Sequence, residues 1–260
     1  MSTQLLTERR GATLVLTLSD PATRNALSPA IYAAGVETLA VAESDDAVRA
    51  VVLTGDGGHF SAGGNVHQLE AVRGKPDEQA ARIDALGRWV EALRAFPKPV
   101  IAAVEGAAAG AGASLAFACD LVVAARDARF SLAYGRLGIS PDGGVTHQLA
   151  RTLPRPLALE WLWLAQTRTA AELAPHGLIN RLAEPGQALT DALALAGELA
   201  AMAPLAVSGV KELMADAQDL PLGTQLARER ESFIRCINDA DGAEGLTAFR
   251  ERRAPRFGAR

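Results

Sequence analysis

The sequence predicts an α/β fold followed by a helical C-terminal region. Through roughly the first 135 residues, short apolar runs typical of buried strands alternate with segments of helical period. After Pro141-Asp-Gly-Gly144 the pattern is mostly helical, with one strand-like stretch at 178–182. No Ser/Gly-rich or charged linker separates the two parts, so the helices are expected to pack on the core or on a neighbouring subunit.

Five short segments are predicted strands. In the first, Leu14, Leu16 and Leu18 alternate with Thr and Val, which is typical of a half-buried strand. Three more are apolar runs that end at glycine, charge or turn residues, as expected for strands buried on both faces, and cover residues 49–54, 100–104 and 121–124. The last is a short strand at 128–130.

Helices are predicted where apolar side chains recur every three or four residues. Ser28-Pro29 opens the first, because Ser supplies an N-cap oxygen and Pro fits the first helical position. Trp89, Trp161 and Trp163 fall on helical faces with Leu or Ile neighbours, and we assign them to packing. The further helices are predicted at 77–96, 145–151, 155–165, 188–202, 204–217, 221–237 and 242–250.

Composition excludes several classes of protein. With 49% apolar and 22% charged residues, the chain is an ordinary globular sequence, and its charge of −4 argues against nucleic acid as the main partner. No apolar run reaches the ~18 residues of a membrane span. Two cysteines, Cys119 and Cys236, suit a reducing compartment, and the start lacks a signal-type apolar region. We therefore expect a cytoplasmic protein that has no membrane partner.

Common site motifs are absent or incomplete. The four histidines and two cysteines show no ligand spacing, so no metal site is expected. Gly110-Ala-Gly112 lacks the last glycine of a dinucleotide motif, because Leu115 stands there. Gly112-Ala-Ser114-Leu-Ala116 approaches a nucleophile elbow without a well-placed later Asp and His, so a Ser hydrolase stays a rival reading.

Two loops rich in small residues, 55–64 and 106–114, each follow a buried strand. Each loop can offer backbone N–H groups to one oxygen atom. Two convergent N–H donors are what a thioester carbonyl needs as it becomes an enolate. Close packing of the chain is the alternative reason for such loops.

Seven short segments stand in order along the chain and carry a family pattern: 24–27, 49–55, 60–64, 98–104, 110–115, 119–120 and 241–257. Together they resemble the enoyl-CoA hydratase/isomerase (crotonase) superfamily over almost the whole chain. The resemblance implies a crotonase-like spiral of ββα units over residues 1–195, followed by a helical trimerisation region over 196–260 that belongs to the same compact unit. It implies an acyl-CoA thioester substrate and a homotrimer or hexamer, with no separate cofactor because CoA is part of the substrate.

The resemblance also implies roles for individual residues. The N–H groups of Ala62 and Ala111 would hold the thioester oxygen, with Gly63, Gly64 and Asn65 beside the substrate in the first loop. Arg24 and Ala26 would lie by the adenine and phosphates of CoA.

The C-terminal tail concentrates positive charge. Its arginines are a solvated surface or a phosphate site, since guanidinium groups match phosphate oxygens. The resemblance favours the second reading, because it implies that Phe249 and Arg252 reach the CoA of an adjacent subunit. The arginines are Arg250, Arg252, Arg253, Arg256 and Arg260.

Departures from the family pattern bear on the chemistry. Hydratases of this superfamily use two glutamates, where this chain has Ser114 and Tyr134. Neither side chain ionises at neutral pH, so neither replaces a carboxylate. Asp142 is the well-placed acid, at a position used by enoyl-CoA isomerases, including ring-isomerising enzymes of phenylacetate-type degradation. To act as a base, Asp142 would need an apolar wall that raises its pKa toward neutrality. Tyr134, Leu137 and Ile139 are candidates for that wall, and Tyr134 could instead orient the acyl group.

Alternatives to isomerisation remain open at this point. Asp142 can be a simple turn residue, because Pro-Asp-Gly is good turn chemistry. The protein can be a hydratase with unusual machinery, or a non-catalytic acyl-CoA binder. An Asp here acts as a nucleophile in chlorobenzoyl-CoA dehalogenases, but Tyr134 and Glu91 stand where those enzymes have Trp and His, which counts against that reading.

Overall fold

The computed structural model describes residues 3–258 and contains two sheets. A six-stranded sheet has the order β1-β2-β3-β4-β6-β9, and a three-stranded sheet has the order β5-β7-β8. The strands are β1 (Gln4–Arg10), β2 (Thr13–Ser19), β3 (Ala50–Gly55), β4 (Val100–Val104), β5 (Ala107–Ala109), β6 (Leu121–Ala125), β7 (Arg129–Ser131), β8 (Thr167–Thr169) and β9 (Arg181–Ala183).

Helices connect these strands and form the C-terminal part of the described chain. The helices are α1 (Pro29–Glu43), α2 (Val66–Ala71), α3 (Pro76–Ala95), α4 (Ala111–Ala118), α5 (Val145–Thr152), α6 (Arg155–Leu164), α7 (Ala170–Leu173), α8 (Ala188–Ala200), α9 (Pro204–Asp216), α10 (Leu222–Ile237) and α11 (Ala240–Glu251). Short 3-10 helices follow β2, β7 and α7.

The large sheet is the centre of the core. Its strands from β2 onward are parallel, and β1 pairs antiparallel with β2 at one edge. Alternate residues of β3 face opposite sides, so Val51 and Leu53 pack with α1, α3 and α4 while Ala50 and Val52 pack with α8. Both faces are covered, which explains why these strands are continuous apolar runs.

The chain winds between the two sheets. After β4 in the large sheet it enters β5 in the small sheet and then α4, and after β6 it enters β7 and then a 3-10 helix and α5. This order confirms the predicted spiral of ββα units. It also places the end of β5 next to the start of α4, where backbone N–H groups are free to bind a ligand.

Three strands and two short helices, α2 and α7, were not predicted from the pattern. Strand β1 has mostly exposed and polar side chains, because it lies at the sheet edge against β2. Strands β5 and β8 are three residues long, and β5 consists of alanines. The strand expected at 178–182 is found later, as β9. Ser28 is the N-cap residue of α1, but its hydroxyl bonds to no group among the described residues.

The predicted boundary between residues 195 and 196 is wrong, because it falls inside the continuous helix α8. The buried side chains of α8 on both sides of that point, Leu195 and Ala196 among them, pack against the large sheet. The core therefore extends through α8. The C-terminal helical region begins at α9, and Lys211 on that helix joins it to the core through an ion pair of 2.8 Å with Asp120.

The C-terminal helices and α6 leave apolar side chains exposed. Trp89 and Trp161 are fully buried as predicted, whereas Trp163 is 73% exposed, so its assignment to packing is wrong. Among residues 3–258, no single helix is long and apolar enough to cross a membrane; α8 and α9 reach that length and hydropathy only as a pair bent by 108°. The exposed apolar residues of α9–α11 include Val210, Met214, Leu222, Leu226, Phe233, Ile234, Ile237, Leu246 and Phe249.

Candidate active site

A fully buried asparagine shapes the first small-residue loop. The side-chain amide of Asn25 donates to the carbonyl oxygens of Asp56, His59 and Phe60, at 2.9, 2.8 and 3.3 Å. Its own oxygen accepts the backbone N–H of Asp20 at 2.9 Å. These bonds satisfy a polar group that would be costly to bury unpaired, and they fix the path of the loop after β3.

The structure corrects the first predicted oxyanion donor. The N–H of Ala62 donates to the carbonyl of Arg24 at 2.8 Å, so it is not available to a substrate. The N–H of Gly63 donates to the Ser61 hydroxyl at 3.1 Å. The next N–H, that of Gly64, donates to no group in residues 3–258. Gly64 therefore replaces Ala62 as the candidate donor from this loop.

The second predicted donor, Ala111, is the first residue of α4, and its N–H has no acceptor within the described chain. The two loops pack directly against each other at Gly63, whose φ is +82°. A Cβ atom there would lie 2.3 Å from the carbonyl oxygen of Ala109 and 3.3 Å from the nitrogen of Ala111. Only glycine permits this approach, which brings both loops to one cavity.

Gly64 and Ala111 line a cavity of about 160 Å³. Because the Ala111 N–H lies at the N-terminus of α4, the helix dipole adds to its preference for negative charge. Most of the wall is apolar, and the polar side chains are gathered at a few points. The apolar lining includes Leu27, Val66, Leu69, Ile83, Leu86 and Leu137, and the polar lining consists of Tyr32, Asn65, Gln68, Arg82, Tyr134 and Asp142.

Asp142 is held in this cavity by its neighbours. The Tyr134 hydroxyl donates to Asp142 Oδ1 at 2.8 Å, and the Ser114 hydroxyl lies 3.1 Å from both the Tyr134 oxygen and the Asp142 carbonyl. Burial raises the pKa of Asp142 above its ordinary value, while the bond from Tyr134 acts in the opposite direction. A carboxylate with a raised pKa is suited to accept and return a proton.

Ser114 does not line the cavity, so its predicted contact with substrate is not supported by its position. The residue is fully buried on α4, and its hydroxyl also reaches the carbonyl oxygen of Gly110 at 3.2 Å. A Cβ at Gly143 would lie 2.9 Å from Ser114 Cβ, which shows how closely the Asp142 turn packs on α4. Ser114 thus supports Tyr134 and the turn rather than the substrate.

The residues predicted to bind CoA lie elsewhere. Arg24, Ala26, Phe249 and Arg252 are outside this cavity, and their assignment to CoA remains a prediction. Phe249 is 85% exposed on α11. Among the tail arginines, Arg253 forms ion pairs with Glu244 and Glu251, and Arg260 lies outside the described residues.

Three polar lining residues were missed from the sequence: Tyr32, Gln68 and Arg82. Arg82 lies four residues before Leu86, which the helical period already placed on the apolar face of α3. Residues four apart share a helix face, so this spacing was a usable signal. Among residues 3–258, no group of three or more His, Cys, Asp or Glu side chains is placed to hold a metal ion.

Comparison with known proteins agrees with this geometry. The model of the enoyl-CoA hydratase/isomerase family matches residues 8–260. The chain is 35% identical over 257 residues to 2,3-dehydroadipyl-CoA hydratase of Escherichia coli K12, covering 99% of each chain. It is 34% identical over 246 residues to 1,2-epoxyphenylacetyl-CoA isomerase of the same strain, covering 94% of each.

Solved structures show the same fold. A crystal structure of an enoyl-CoA hydratase from Polaromonas sp. JS666 superposes with a TM-score of 0.95 at 49% identity, covering 97% of this chain and 99% of the other. The family match, the relatives and the two facing loops agree with one another. The chain therefore belongs to the enoyl-CoA hydratase/isomerase family of enzymes, which act on acyl-CoA thioesters.

Proposed function

We propose that the protein is an enoyl-CoA isomerase in which Asp142 moves the proton. One observation carries this proposal. Within the described chain, Asp142 is the one carboxylate that lines the cavity formed by Gly64 and Ala111. A double-bond shift needs one group that removes a proton and returns it to another carbon, and a single carboxylate is sufficient for both steps.

The reaction divides into two proton transfers. In the first, Asp142 accepts a proton from a carbon of the enoyl chain, and the bonding electrons move toward the thioester oxygen to form an enolate. The N–H groups of Gly64 and Ala111 stabilise the negative oxygen. In the second, Asp142 returns the proton to a different carbon and the carbonyl re-forms, so atoms and charge balance without a cofactor.

Hydration is the second candidate, because several relatives are named hydratases, including the Polaromonas protein at 49% identity. The side chains argue against it. Tyr134 cannot serve as the second base, because burial and the nearby Asp142 raise the pKa of its phenol above the ordinary value. Ser114 is buried away from the cavity. Within the described chain, the cavity lining contains no second carboxylate that could activate water.

The CoA part of the substrate is proposed to lie outside the acyl cavity. The segment 24–27 lies against the first loop, because the Arg24 carbonyl accepts the N–H of Ala62 and Leu27 forms a parallel bridge with Gly64. Phe249 and Arg252 are proposed to come from an adjacent subunit of a trimer or hexamer. The exposed apolar side chains of α9–α11 support an oligomer, because a surface of this kind is usually buried against another chain.

The experiment that tests the proposal is Asp142→Asn with a panel of 2-enoyl, 3-enoyl and cyclic enoyl-CoA thioesters. Asn keeps the size of the side chain and its bond from Tyr134, but it cannot accept the proton. Isomerisation should fall by about 10²–10⁴-fold while thioester binding is retained. Product mass distinguishes the two reactions, since hydration adds one water and isomerisation leaves the mass unchanged.

Asp84→Asn is the matched control, because Asp84 is exposed on α3 and does not line the cavity. It should leave turnover and binding unchanged. Isomerisation by Asp142→Asn at more than about a tenth of the normal rate would contradict the single-carboxylate mechanism. Addition of water by the unaltered protein, with no isomerised product, would support the hydratase instead.

A further inference from the structure

The acyl cavity contains a second charged side chain, Arg82, that the proposed reaction does not use. Arg82 and Leu86 lie four residues apart on α3 and both line the cavity. The guanidinium donates to Gln68 Oε1 at 3.1 Å. It forms no ion pair with any carboxylate among residues 3–258, so its charge is not balanced within that part of the chain.

Arg82 does not serve Asp142. The two residues line the same cavity, but they are not paired, and the bond that Asp142 receives comes from Tyr134. Tyr32 also lines this cavity, and the pKa of its phenol is raised by burial and by Asp142 and lowered by Arg82. Asp142 and Arg82 are therefore two charged groups of one cavity that are not paired with each other.

The Tyr32 hydroxyl is also free. It has no hydrogen-bond partner in the described chain, although the residue is buried and its ring packs 6.2 Å from that of Trp89. A hydroxyl donor and a guanidinium that line one mostly apolar cavity can together bind an anionic oxygen. Carboxylates are bound in this way, by charge-assisted hydrogen bonds from Arg.

We propose that Arg82, with Tyr32, binds a carboxylate at the far end of the acyl chain, so that the substrate is the CoA monothioester of a dicarboxylic acid. This inference rests on the proposed function, since it places the thioester at Gly64 and Ala111. An acyl chain ending in a methyl group would displace water from the guanidinium without replacing its hydrogen bonds, and that is costly in a small cavity.

The size of the cavity sets the length of the chain. At about 160 Å³ it is close to the 150 Å³ of an apolar cavity that binds benzene. It therefore suits a chain of about six carbons rather than a long fatty acyl group. The proposal therefore commits to a six-carbon dicarboxylic monothioester, with its thioester at Gly64 and Ala111 and its carboxylate at Arg82.

The test measures binding of two unreactive, saturated thioesters by isothermal titration calorimetry. Hexanoyl-CoA and the monothioester of hexanedioic acid have the same chain length and differ in the terminal group. The unaltered protein should bind the carboxylate-terminated thioester roughly 10–150-fold more tightly, which is the usual range for a hydrogen bond to a charged group. Arg82→Met should bring that ratio close to one.

Arg88→Met is the matched control, because Arg88 is exposed on the same helix and does not line this cavity. It should keep the normal ratio, and Arg82→Lys should keep part of it. Equal binding of the two thioesters by the unaltered protein would overturn the inference and leave the acyl-CoA assignment intact. An unchanged ratio of the two affinities in a folded Arg82→Met protein would also overturn the inference. Failure to bind either thioester would instead overturn the proposed function on which the inference rests.

Discussion

Removing the Tyr134 hydroxyl should change the pH dependence of the reaction in a defined direction. Tyr134 donates to Asp142 Oδ1 at 2.8 Å, and this bond favours the ionised carboxylate against the effect of burial. In Tyr134→Phe the bond is lost and burial remains. The pKa of Asp142 should therefore rise further above its ordinary value.

The size of the change follows from the kind of bond. A hydrogen bond to a charged group contributes about 1.5–3 kcal/mol, and 1.36 kcal/mol corresponds to one pH unit. The acid limb of kcat/KM should move to higher pH by about 1–2 units. At a pH above both pKa values Asp142 is ionised in either protein, so the rates should converge there.

The assay is kcat/KM for isomerisation from about pH 5 to pH 9, which reports the pKa of the essential base in the free enzyme. Tyr32→Phe is the matched control, because it removes a hydroxyl from the same cavity that is not bonded to Asp142. Its acid limb should stay near the normal position. An acid limb for Tyr134→Phe that stays with the control, or moves to lower pH, would refute the reasoning.

Three further predictions concern the loops, the CoA contact and the assembly. Gly63→Ala should lower kcat by about 10²–10³-fold, because its Cβ would meet the Ala109 carbonyl at 2.3 Å and displace the oxyanion donors. Gly58→Ala, with a φ of +76° and open space, should lower thermal stability and leave kcat unchanged. Arg24→Asn, which tolerates the left-handed backbone at that position, should raise KM more than it lowers kcat, with a difference that shrinks as salt rises. Light scattering at micromolar concentration should give a trimer or hexamer, and a monomer would contradict the proposed role of α9–α11.

Much of the sheet could be predicted from the sequence because the buried strands carry their own signal. β3, β4 and β6 are apolar on both faces, and a short apolar run of this kind has few other uses. β1 lacks that signal, since its side chains are exposed and its position depends on pairing with β2. β5 is made of alanines, which fit a helix at least as well as a strand.

Trp163 shows that helical period has to be applied to each position. Trp161 is fully buried in α6, and Trp163 is two residues further along the same helix. Side chains two apart do not share a helix face, so both could not pack into one core. The exposure of Trp163 could therefore have been predicted from its position in the sequence.

The sequence could not show whether Ala62 or Gly64 is the oxyanion donor, because this depends on which N–H groups of the loop are already bonded within the protein. Arg24 and Asn25 both adopt left-handed backbone conformations, and their carbonyls accept the Ala62 N–H and the Ser61 hydroxyl. Gly64 is left with a free N–H as a result. A donor fixed in this way needs no reorganisation when charge develops on the substrate, which is the source of oxyanion stabilisation. The polar groups of Asn25 and Ser61, fully buried in an otherwise apolar core, are thus explained by the site they hold in place.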